Sequence, residues 1–153
     1  MFHIILFAPQ IPPNTGNIIR LSANTGAQLH LIEPLGFRLD EKSCRRAGLD
    51  YHALADVHLH KNLDECLTKL GSARLFAITS RGTKSLFVQK FTPGDAFLFG
   101  SETAGLPETI HTRFAADQKL RLPMIAGNRS LNLANAASIV VYEAWRQTGF
   151  AVG

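Results

Sequence analysis

The sequence lacks long apolar runs and contains few cysteines. Its apolar segment 2–8 has the size of a strand, whereas a membrane span needs roughly 18 consecutive apolar residues. No basic segment typical of a secretory signal accompanies this stretch. Cys44 and Cys66 are the two cysteines among the 153 residues and form no CxxC motif. We therefore expect free thiols in a cytoplasmic protein without a membrane partner.

Charged residues are also sparse. They make up 18% of the sequence, against 46% for apolar residues, and the formal net charge is +4. This balance is typical of a globular protein. The weak positive charge is compatible with an RNA partner, although a solvated basic face would give the same value. No repeat, low-complexity tract or linker divides the chain, so we expect residues 1–153 to form a single domain.

Short apolar segments alternate with segments of helical pattern along the chain. The predicted strands are rich in Ile, Leu, Val and Phe and cover residues 2–8, 28–32, 55–60, 74–79, 96–99 and 118–122. Capping residues or a proline indicate helix starts at Asn14, Asp40, Asn62, Pro107 and about Ser130. This alternation predicts an α/β fold, with a mostly parallel sheet and helices on both faces.

The last predicted helix, residues 130–148, is more apolar than one packing surface requires. Its apolar stripe is formed by Leu133, Ala137, Val140, Val141, Ala144 and Trp145, and is widened by Ala136 and Ile139. A second surface is needed to bury so wide a face, and a second copy of the chain would supply it. We predict a homodimer formed through this helix; a deeply buried helix in a monomer is the alternative.

Three polar clusters stand where predicted strands end, which is where open α/β sheets bind ligands. The first covers residues 12–20 and contains Asn14, Asn17 and Arg20. Asn14 can serve simply as a helix cap, and Arg20 as a surface charge. An arginine expected close to a helix N-terminus nevertheless suggests an anionic ligand, such as an RNA phosphate.

The second cluster is the segment from Gly100 to Pro107. Its GxxxxG spacing is that of a phosphate loop, but Leu106 and Pro107 stand where Lys and Ser or Thr should follow, so we exclude nucleotide triphosphate binding. Gly100 is expected to let a ligand approach the strand end, and Glu102 to accept hydrogen bonds from a hydroxyl or amine. The alternative is a tight turn with an exposed acid.

The third cluster is residues 130–135, with Ser130, Asn132 and Asn135. Ser130 or Asn132 can cap the following helix, whereas Asn135 is a poor helix former placed within the first turn. Elsewhere, His58 and His60 would share one face of a strand. Because no third ligand follows at a suitable spacing, we predict no metal site.

Taken together and in this order, these segments resemble the motifs of the SPOUT class of RNA methyltransferases. The resemblance covers essentially the whole chain and rests on residues 11–20, 47–52, 99–107 and 129–145. Within that class, the sequence is most similar to the minimal bacterial group that methylates the ribose 2′-hydroxyl of the wobble nucleotide, cytidine or modified uridine 34, in leucine tRNAs.

The resemblance implies a deep trefoil knot in the C-terminal part, a dimer, and S-adenosylmethionine as methyl donor, leaving S-adenosylhomocysteine, without a metal. Cofactor contacts would fall on Ile78, Thr79, Gly100, Leu122, Met124, Ser130, Leu131 and Asn135. The catalytic positions would be Arg20, Glu102, Asn132 and Asn14. Arg20 would reach the cofactor pocket of the other subunit, and Tyr142 would lie in the subunit contact.

One position departs from the family pattern. Close relatives often carry Arg where this sequence has Ala104, which puts RNA affinity or substrate choice in question. The resemblance favours 2′-O-methylation of the wobble nucleotide of leucine tRNAs, with the tRNA anticodon stem-loop as partner. A 2′-O-methyltransferase acting on rRNA or on another tRNA position is the first alternative, and a non-catalytic RNA- or nucleotide-binding module is the second.

Overall fold

A computed structural model describes the backbone of residues 1–153 and every side chain except that of Ala55. Its strands are β1 (His3–Phe7), β2 (Gln28–Ile32), β3 (His58–His60), β4 (Leu75–Ile78), β5 (Lys84–Ser85), β6 (Ala96–Phe99) and β7 (Lys119–Arg121). They form a parallel sheet in the order β3-β2-β1-β6-β4-β7-β5. The predicted α/β fold with a parallel sheet is confirmed.

The helices are α1 (Pro12–Thr25), α2 (Glu41–Arg46), α3 (Leu63–Leu70), α4 (Glu108–His111) and α5 (Leu133–Gln147). Two predicted caps are present, because the backbone N–H of Ser43 donates to Asp40 at 2.7 Å and that of Glu65 donates to Asn62 at 2.8 Å. Each cap satisfies a donor that the first helical turn would otherwise leave without a partner.

The helices cover both faces of the sheet, as predicted. Alternate residues of a strand point to opposite faces, and β1 shows this division. Ile4 and Leu6 belong to a core formed with α1 and α5, which includes Ile18 and Val140. Ile5 belongs to a second core with α3 and α4. The central strands are therefore buried on both faces, and this explains their nearly continuous apolar sequences.

Two predicted starts differ from the structure, and one strand was not predicted. Residues 52–56 form a short 3-10 helix, so β3 begins at His58 rather than at residue 55. The two-residue strand β5 was not predicted, since so short a segment carries no alternation pattern. Helix α1 begins at Pro12 with Ile11 as its N-cap, because proline fits the first turn, where its missing N–H is not needed. Asn14 is therefore not the cap, and its side chain is free for another role.

Helix α5 buries most of the apolar stripe read from the sequence. Val140, Val141 and Ala144 are fully buried in the first core, whereas Ile139 and Tyr142 remain 38% and 45% exposed. Among the described residues, no helix has the length and apolarity needed to traverse a bilayer. Ile139 and Tyr142 therefore give α5 an exposed apolar surface on the side away from the core.

An ion pair closes the amino ends of β4 and β6. Asp95, which is 1% exposed, accepts hydrogen bonds from Arg74 Nε at 2.8 Å, from Arg74 Nη2 at 2.6 Å and from the backbone N–H of Thr92 at 2.8 Å. The hydrogen bond to Asp95 raises the pKa of Arg74. Because the buried carboxylate has three donors, its lost hydration is replaced by charge-assisted bonds.

Replacing Asp95 with Ala should lower the free energy of unfolding by about 2 kcal/mol, because the Arg74 guanidinium, which is 48% exposed, and the backbone N–H of Thr92 lose their acceptor. Urea unfolding followed by circular dichroism measures this change. Arg45→Ala is the control, since the Arg45–Glu41 pair is 81% and 60% exposed at its two side chains, and exposed pairs contribute little. Equal losses in the two variants would contradict this account of the pair.

Candidate active site

A cavity of about 640 Å³ lies at the carboxyl ends of β4, β6 and β7. The strand order reverses at β1, because β1 pairs with β2 on one side and with β6 on the other. Open α/β sheets form crevices where the strand order reverses in this way. The walls are Ile11, Asn14, residues 78–80, residues 99–106, Leu122, Met124, residues 129–133 and Ala136.

Most of the residues predicted to contact a cofactor lie in this one cavity. The wall includes Ile78, Thr79, Gly100, Leu122, Met124, Ser130 and Leu131. Asn135 is not part of the described wall; it is exposed, and its backbone N–H donates to Asn132 at 3.2 Å. Three chain segments that are far apart in sequence thus converge on a volume within the range of small-molecule sites.

Glu102 holds two of the loops at the cavity together. Its carboxylate accepts hydrogen bonds from the backbone N–H groups of Gln10, at 2.9 Å, and Ile11, at 2.7 Å. The side-chain amide of Asn14 donates to the same carboxylate at 3.2 Å. The acid expected to accept hydrogen bonds from a ligand therefore has three donors from its own chain, and it fixes the segment after β1 to the segment after β6.

Asn14 and Asn132 extend this contact to the third loop. The amide Nδ2 of Asn132 donates to Oδ1 of Asn14 at 2.9 Å, and Oδ1 of Asn132 accepts from the backbone N–H of Ala134 at 2.9 Å. The direction of each hydrogen bond in this series is fixed by its two end groups. The Glu102 carboxylate can only accept, and the backbone N–H of Ala134 can only donate. Both asparagines are thereby fixed in one orientation, and Asn132 is also the N-cap of α5.

Gly100 is needed by the protein itself. A Cβ atom at this position would overlap the backbone of Gly105 and Leu106, where the loop folds back and the N–H of Gly105 donates to the carbonyl of Ser101 at 3.0 Å. Gly105 adopts a left-handed φ of +66°, which glycine reaches without strain. The loop itself therefore makes a close approach at Gly100, which also belongs to the cavity wall.

Arg20 lies apart from this cavity. It is exposed, in the third turn of α1 rather than in the first, and it is not among the described residues of the wall. Among the described residues, its guanidinium has no ion pair with a carboxylate. The free backbone N–H groups lie in the first turn of α1, so they and Arg20 are too far apart to bind the same anion.

The sequence reading gave no role to two polar residues of the wall. Ser80 follows β4, and Arg129 precedes the predicted cluster 130–135; among the described wall residues Arg129 is the one cation. Arg129 belongs to the segment 129–145, on which the family resemblance rests. Its place in that segment, next to the cluster 130–135, was the signal that could have marked it as a site residue. An arginine at this place gives the cavity a donor for a carboxylate or phosphate.

A salt bridge joins the two loops on the outer side of the cavity. Arg81 Nη1 lies 2.6 Å from Glu108 Oε2, one residue after the wall segment 78–80 and two residues after the wall segment 99–106. The hydrogen bond from Arg81 lowers the pKa of Glu108. Both side chains are more than half exposed, so the pair orients the loops more than it stabilises the fold.

Residues 1–142 match the SpoU rRNA Methylase family. The chain belongs to this family.

Relatives of this SpoU-family chain match over its full length. It is 57% identical to a tRNA (cytidine(34)-2'-O)-methyltransferase of Burkholderia ambifaria, covering 100% of this chain and 99% of the relative. A solved structure described as "Structural insights into the 2-OH methylation of C/U34 on tRNA" superposes with a TM-score of 0.87 at 45% identity, covering 97% of each chain. The SpoU methyltransferase AviRb of Streptomyces viridochromogenes, solved with AdoMet, has a TM-score of 0.79 at 26% identity, covering 95% of this chain and 57% of AviRb.

Substituting Glu102 with Gln should free the segment after β1 of this SpoU-family protein. A carboxamide offers one acceptor oxygen, so a donor among Gln10, Ile11 and Asn14 would face an N–H group. We expect faster amide exchange at Gln10 and Ile11, with a loss of about 2 kcal/mol in local protection. Hydrogen exchange monitored by NMR measures it.

Asn132→Ala is the matched control for this substitution. It removes the cap of α5, while the two backbone bonds to Glu102 remain. Exchange should therefore rise at Ala134 and Asn135 and stay slow at Gln10 and Ile11. Unchanged exchange at Gln10 and Ile11 in Glu102→Gln would refute the role given to the carboxylate.

Proposed function

We propose that this protein transfers the methyl group of S-adenosylmethionine to the ribose 2′-hydroxyl of nucleotide 34 of tRNA, with leucine tRNAs as substrates. The observation that carries the proposal is the 57% identity, over the whole chain, to an enzyme named for that reaction. The convergence of the predicted positions on one cavity gives independent support. The reaction is expected to take place in the cytoplasm, where tRNA is modified.

The residues of the cavity fit such a methyl donor. Ile78, Leu122 and Met124 offer apolar contact for a flat purine, and residues of the loops after β6 and β7 complete the wall. Arg129 and Ser130 can bind the polar amino-acid part. When bound, S-adenosylmethionine supplies a methyl group already activated by its positively charged sulfur, so the transfer itself calls for no metal.

The task left to the protein is to align the sugar oxygen and to stabilise its developing negative charge. We assign the second task to Arg20. A guanidinium keeps its proton in proteins, so Arg20 acts as a fixed positive charge and not as a general base. It can hold the neighbouring phosphate by two parallel hydrogen bonds at the same time.

Glu102, Asn14 and Asn132 then act as positioning residues. Their hydrogen bonds connect the segment after β1 with the segments after β6 and β7, so the relative placement of the cavity walls depends on them. Rigid placement of this kind matters because small errors in the alignment of reacting atoms lower the rate strongly.

A dimer would bring Arg20 to a cavity. Arg20 is not part of the described wall of its own cavity, and α1, which carries it, packs beside α5. Helix α5 exposes Ile139 and Tyr142, which are apolar surfaces suited to a self-complementary contact. We infer that two chains associate through α5 and that the Arg20 of each serves the cavity of the other.

We also infer that the C-terminal part forms a trefoil knot. Strand β7 lies between β4 and β5, although it comes after both in the chain. The segment that follows β6 must therefore enter the sheet between strands that are already connected by residues 79–83. Crossings of this kind are very rare in proteins, and this strand order supports the inference.

A different RNA substrate is the second candidate, since the matching family is described by rRNA methylation. Labelled S-adenosylmethionine incubated with tRNA or with ribosomal RNA, followed by nucleoside mass spectrometry, separates the two candidates. We expect 2′-O-methylated cytidine or uridine in digests of tRNA only. Methylation of ribosomal RNA alone would favour the second candidate. If methyl is transferred to neither RNA, the proposed activity is wrong and the protein is a non-catalytic binding module.

Arg20→Ala should reduce methyl transfer at least about 100-fold, because the developing alkoxide loses its positive partner. The affinity for S-adenosylmethionine should stay nearly unchanged, since Arg20 is assigned to the sugar oxygen and its neighbouring phosphate and not to the methyl donor. A tritiated-methyl assay and isothermal calorimetry measure the two quantities. Arg20→Lys keeps the charge but not the planar fork and should retain part of the activity. Full activity of Arg20→Ala would refute the role.

Mixing two inactive variants tests whether Arg20 acts across the dimer. Arg20→Ala has an intact cavity, and Leu131→Trp fills the cavity from a side chain that is 43% exposed. If Arg20 acts across the dimer, random mixing restores on the order of a quarter of the wild-type activity, since half the dimers are mixed and each has one complete site. If Arg20 acts within its own chain, mixing restores none.

Tyr142→Glu should give a monomer with little activity, because a charge on the exposed face of α5 cannot be buried in a contact. Sedimentation velocity measures the oligomeric state. Leu59→Glu is the control, since Leu59 has the same 45% exposure but lies on edge strand β3. A monomeric wild type, or a dimer that survives Tyr142→Glu, would contradict the proposed contact.

A further inference from the structure

A second group of polar side chains lies on the other half of the sheet, away from the cavity. His30 is on β2 and His60 is on the neighbouring strand β3. Helix α3 begins at Leu63, shortly after β3 ends, and its first turn places Cys66 on the same face. The three side chains are 1%, 3% and 0% exposed. Buried polar groups of this kind need partners, and here they lie against one another.

The donor atoms of these side chains are close enough to share one ion. His30 Nδ1 lies 3.0 Å from His60 Nε2, and the donor atoms of His30, His60 and Cys66 all lie within 4.8 Å of one another. Around a tetrahedral zinc ion, with metal–nitrogen bonds of about 2.0–2.1 Å, two ligand nitrogens are separated by about 3.3 Å. The two imidazoles are thus only a few tenths of an ångström from that separation.

We propose that His30, His60 and Cys66 form a binding site for a transition-metal cation of the zinc type. Two imidazole nitrogens and one sulfur are the donor set that such ions prefer over Ca²⁺ and Mg²⁺, which take oxygen ligands. The site would leave one tetrahedral position for a solvent molecule. It lies outside the cavity and does not depend on the proposed methyl transfer.

The hydrogen bonds around His30 prepare it as a ligand. His30 Nε2 lies 3.2 Å from Nδ1 of His3, so His30 can keep its proton on Nε2 and present the lone pair of Nδ1 to a metal. Metal-binding histidines are generally oriented by such a bond at the second nitrogen. A neutral imidazole is the form that binds metals, and the bond to His3 leaves Nδ1 of His30 available in that form.

Metal binding also requires a change of protons at the other two ligands. The proton between His30 Nδ1 and His60 Nε2 must leave this contact, and each neutral imidazole then keeps its single N–H on the nitrogen that faces away from the ion. The thiolate is the form that binds metals, so the Cys66 thiol loses its proton to solvent as the metal–sulfur bond forms. No electron transfer is involved.

The nearby charges restrict which cations can bind. Lys69 Nζ lies 2.8 Å from Nδ1 of His58, and the His58 ring stacks on His30 with centroids 4.9 Å apart. This positive charge opposes cations held by electrostatics alone. The carboxylate of Glu65, which accepts from the backbone N–H of Lys61 at 2.8 Å, partly offsets it. Ions that form strong bonds to sulfur and nitrogen are therefore favoured.

A bound ion would fasten the edge of the sheet. Strand β3 has three residues and lies at the edge, where short strands are held by few hydrogen bonds. Bonds to His30, His60 and Cys66 would join β2, β3 and α3 at one point. The expected consequence is a metal-dependent increase in thermal stability, because an ion that binds the folded state alone stabilises it.

Titrating chelator-treated protein with Co²⁺ tests the site directly. Wild-type protein should show the sulfur-to-cobalt charge-transfer band and the visible bands of tetrahedral Co²⁺, and Zn²⁺ should remove both. Cys44→Ser is the matched control, because Cys44 is the other buried cysteine and lies on α2, with its sulfur 3.7 Å from the carbonyl of Arg38. The bands should persist in Cys44→Ser and disappear in Cys66→Ser.

A second variant guards against misfolding of Cys66→Ser. His60→Gln should weaken Co²⁺ binding about tenfold or more while the charge-transfer band remains at high Co²⁺, and Zn²⁺ should raise the melting temperature of wild type more than that of His60→Gln. Absence of the bands in wild type would overturn the proposal and leave a hydrogen-bonded row of histidines. Loss of the bands in Cys44→Ser, with retention in Cys66→Ser, would overturn it as well.

Discussion

The carboxylate of Glu102 is the contact on which the candidate site depends. It accepts from the backbone N–H groups of Gln10 and Ile11 and from the Asn14 amide, and Asn14 in turn accepts from Asn132. Segments separated by about a hundred residues therefore meet through a short series of polar groups. Because each group has one possible orientation, these hydrogen bonds give the loops around the cavity a defined shape.

The two halves of the sheet carry different groups of polar residues. Its half made of β6, β4 and β7 ends in glycine- and asparagine-containing loops around an open cavity. Its other half, β2 and β3, carries buried histidines facing α3. Parallel strands explain both, since all their carboxyl ends lie at one edge, while residues in the middle of each strand are enclosed by helices.

The sequence reading succeeded where local rules decide the outcome. The caps at Asp40 and Asn62 and the apolar stripe of α5 were predicted from neighbouring residues. It did not reveal which distant residues meet. Asn14, interpreted either as a cap or as a site residue, bonds to Glu102, and Gly100, interpreted as a ligand contact, also accommodates its own loop. His30, His60 and Cys66 come together only after α3 folds back.

The sequence alone determined the order of the helices and of every strand except β5, the family resemblance and many of the residues around the cavity. These follow from short-range patterns: apolar alternation, capping side chains and motif spacing. Only the tertiary structure decided which strands are neighbours, that Arg20 is not part of the described wall of its own cavity, and that His30, His60 and Cys66 meet. Such contacts depend on how the sheet orders its strands, and no residue carries that information by itself.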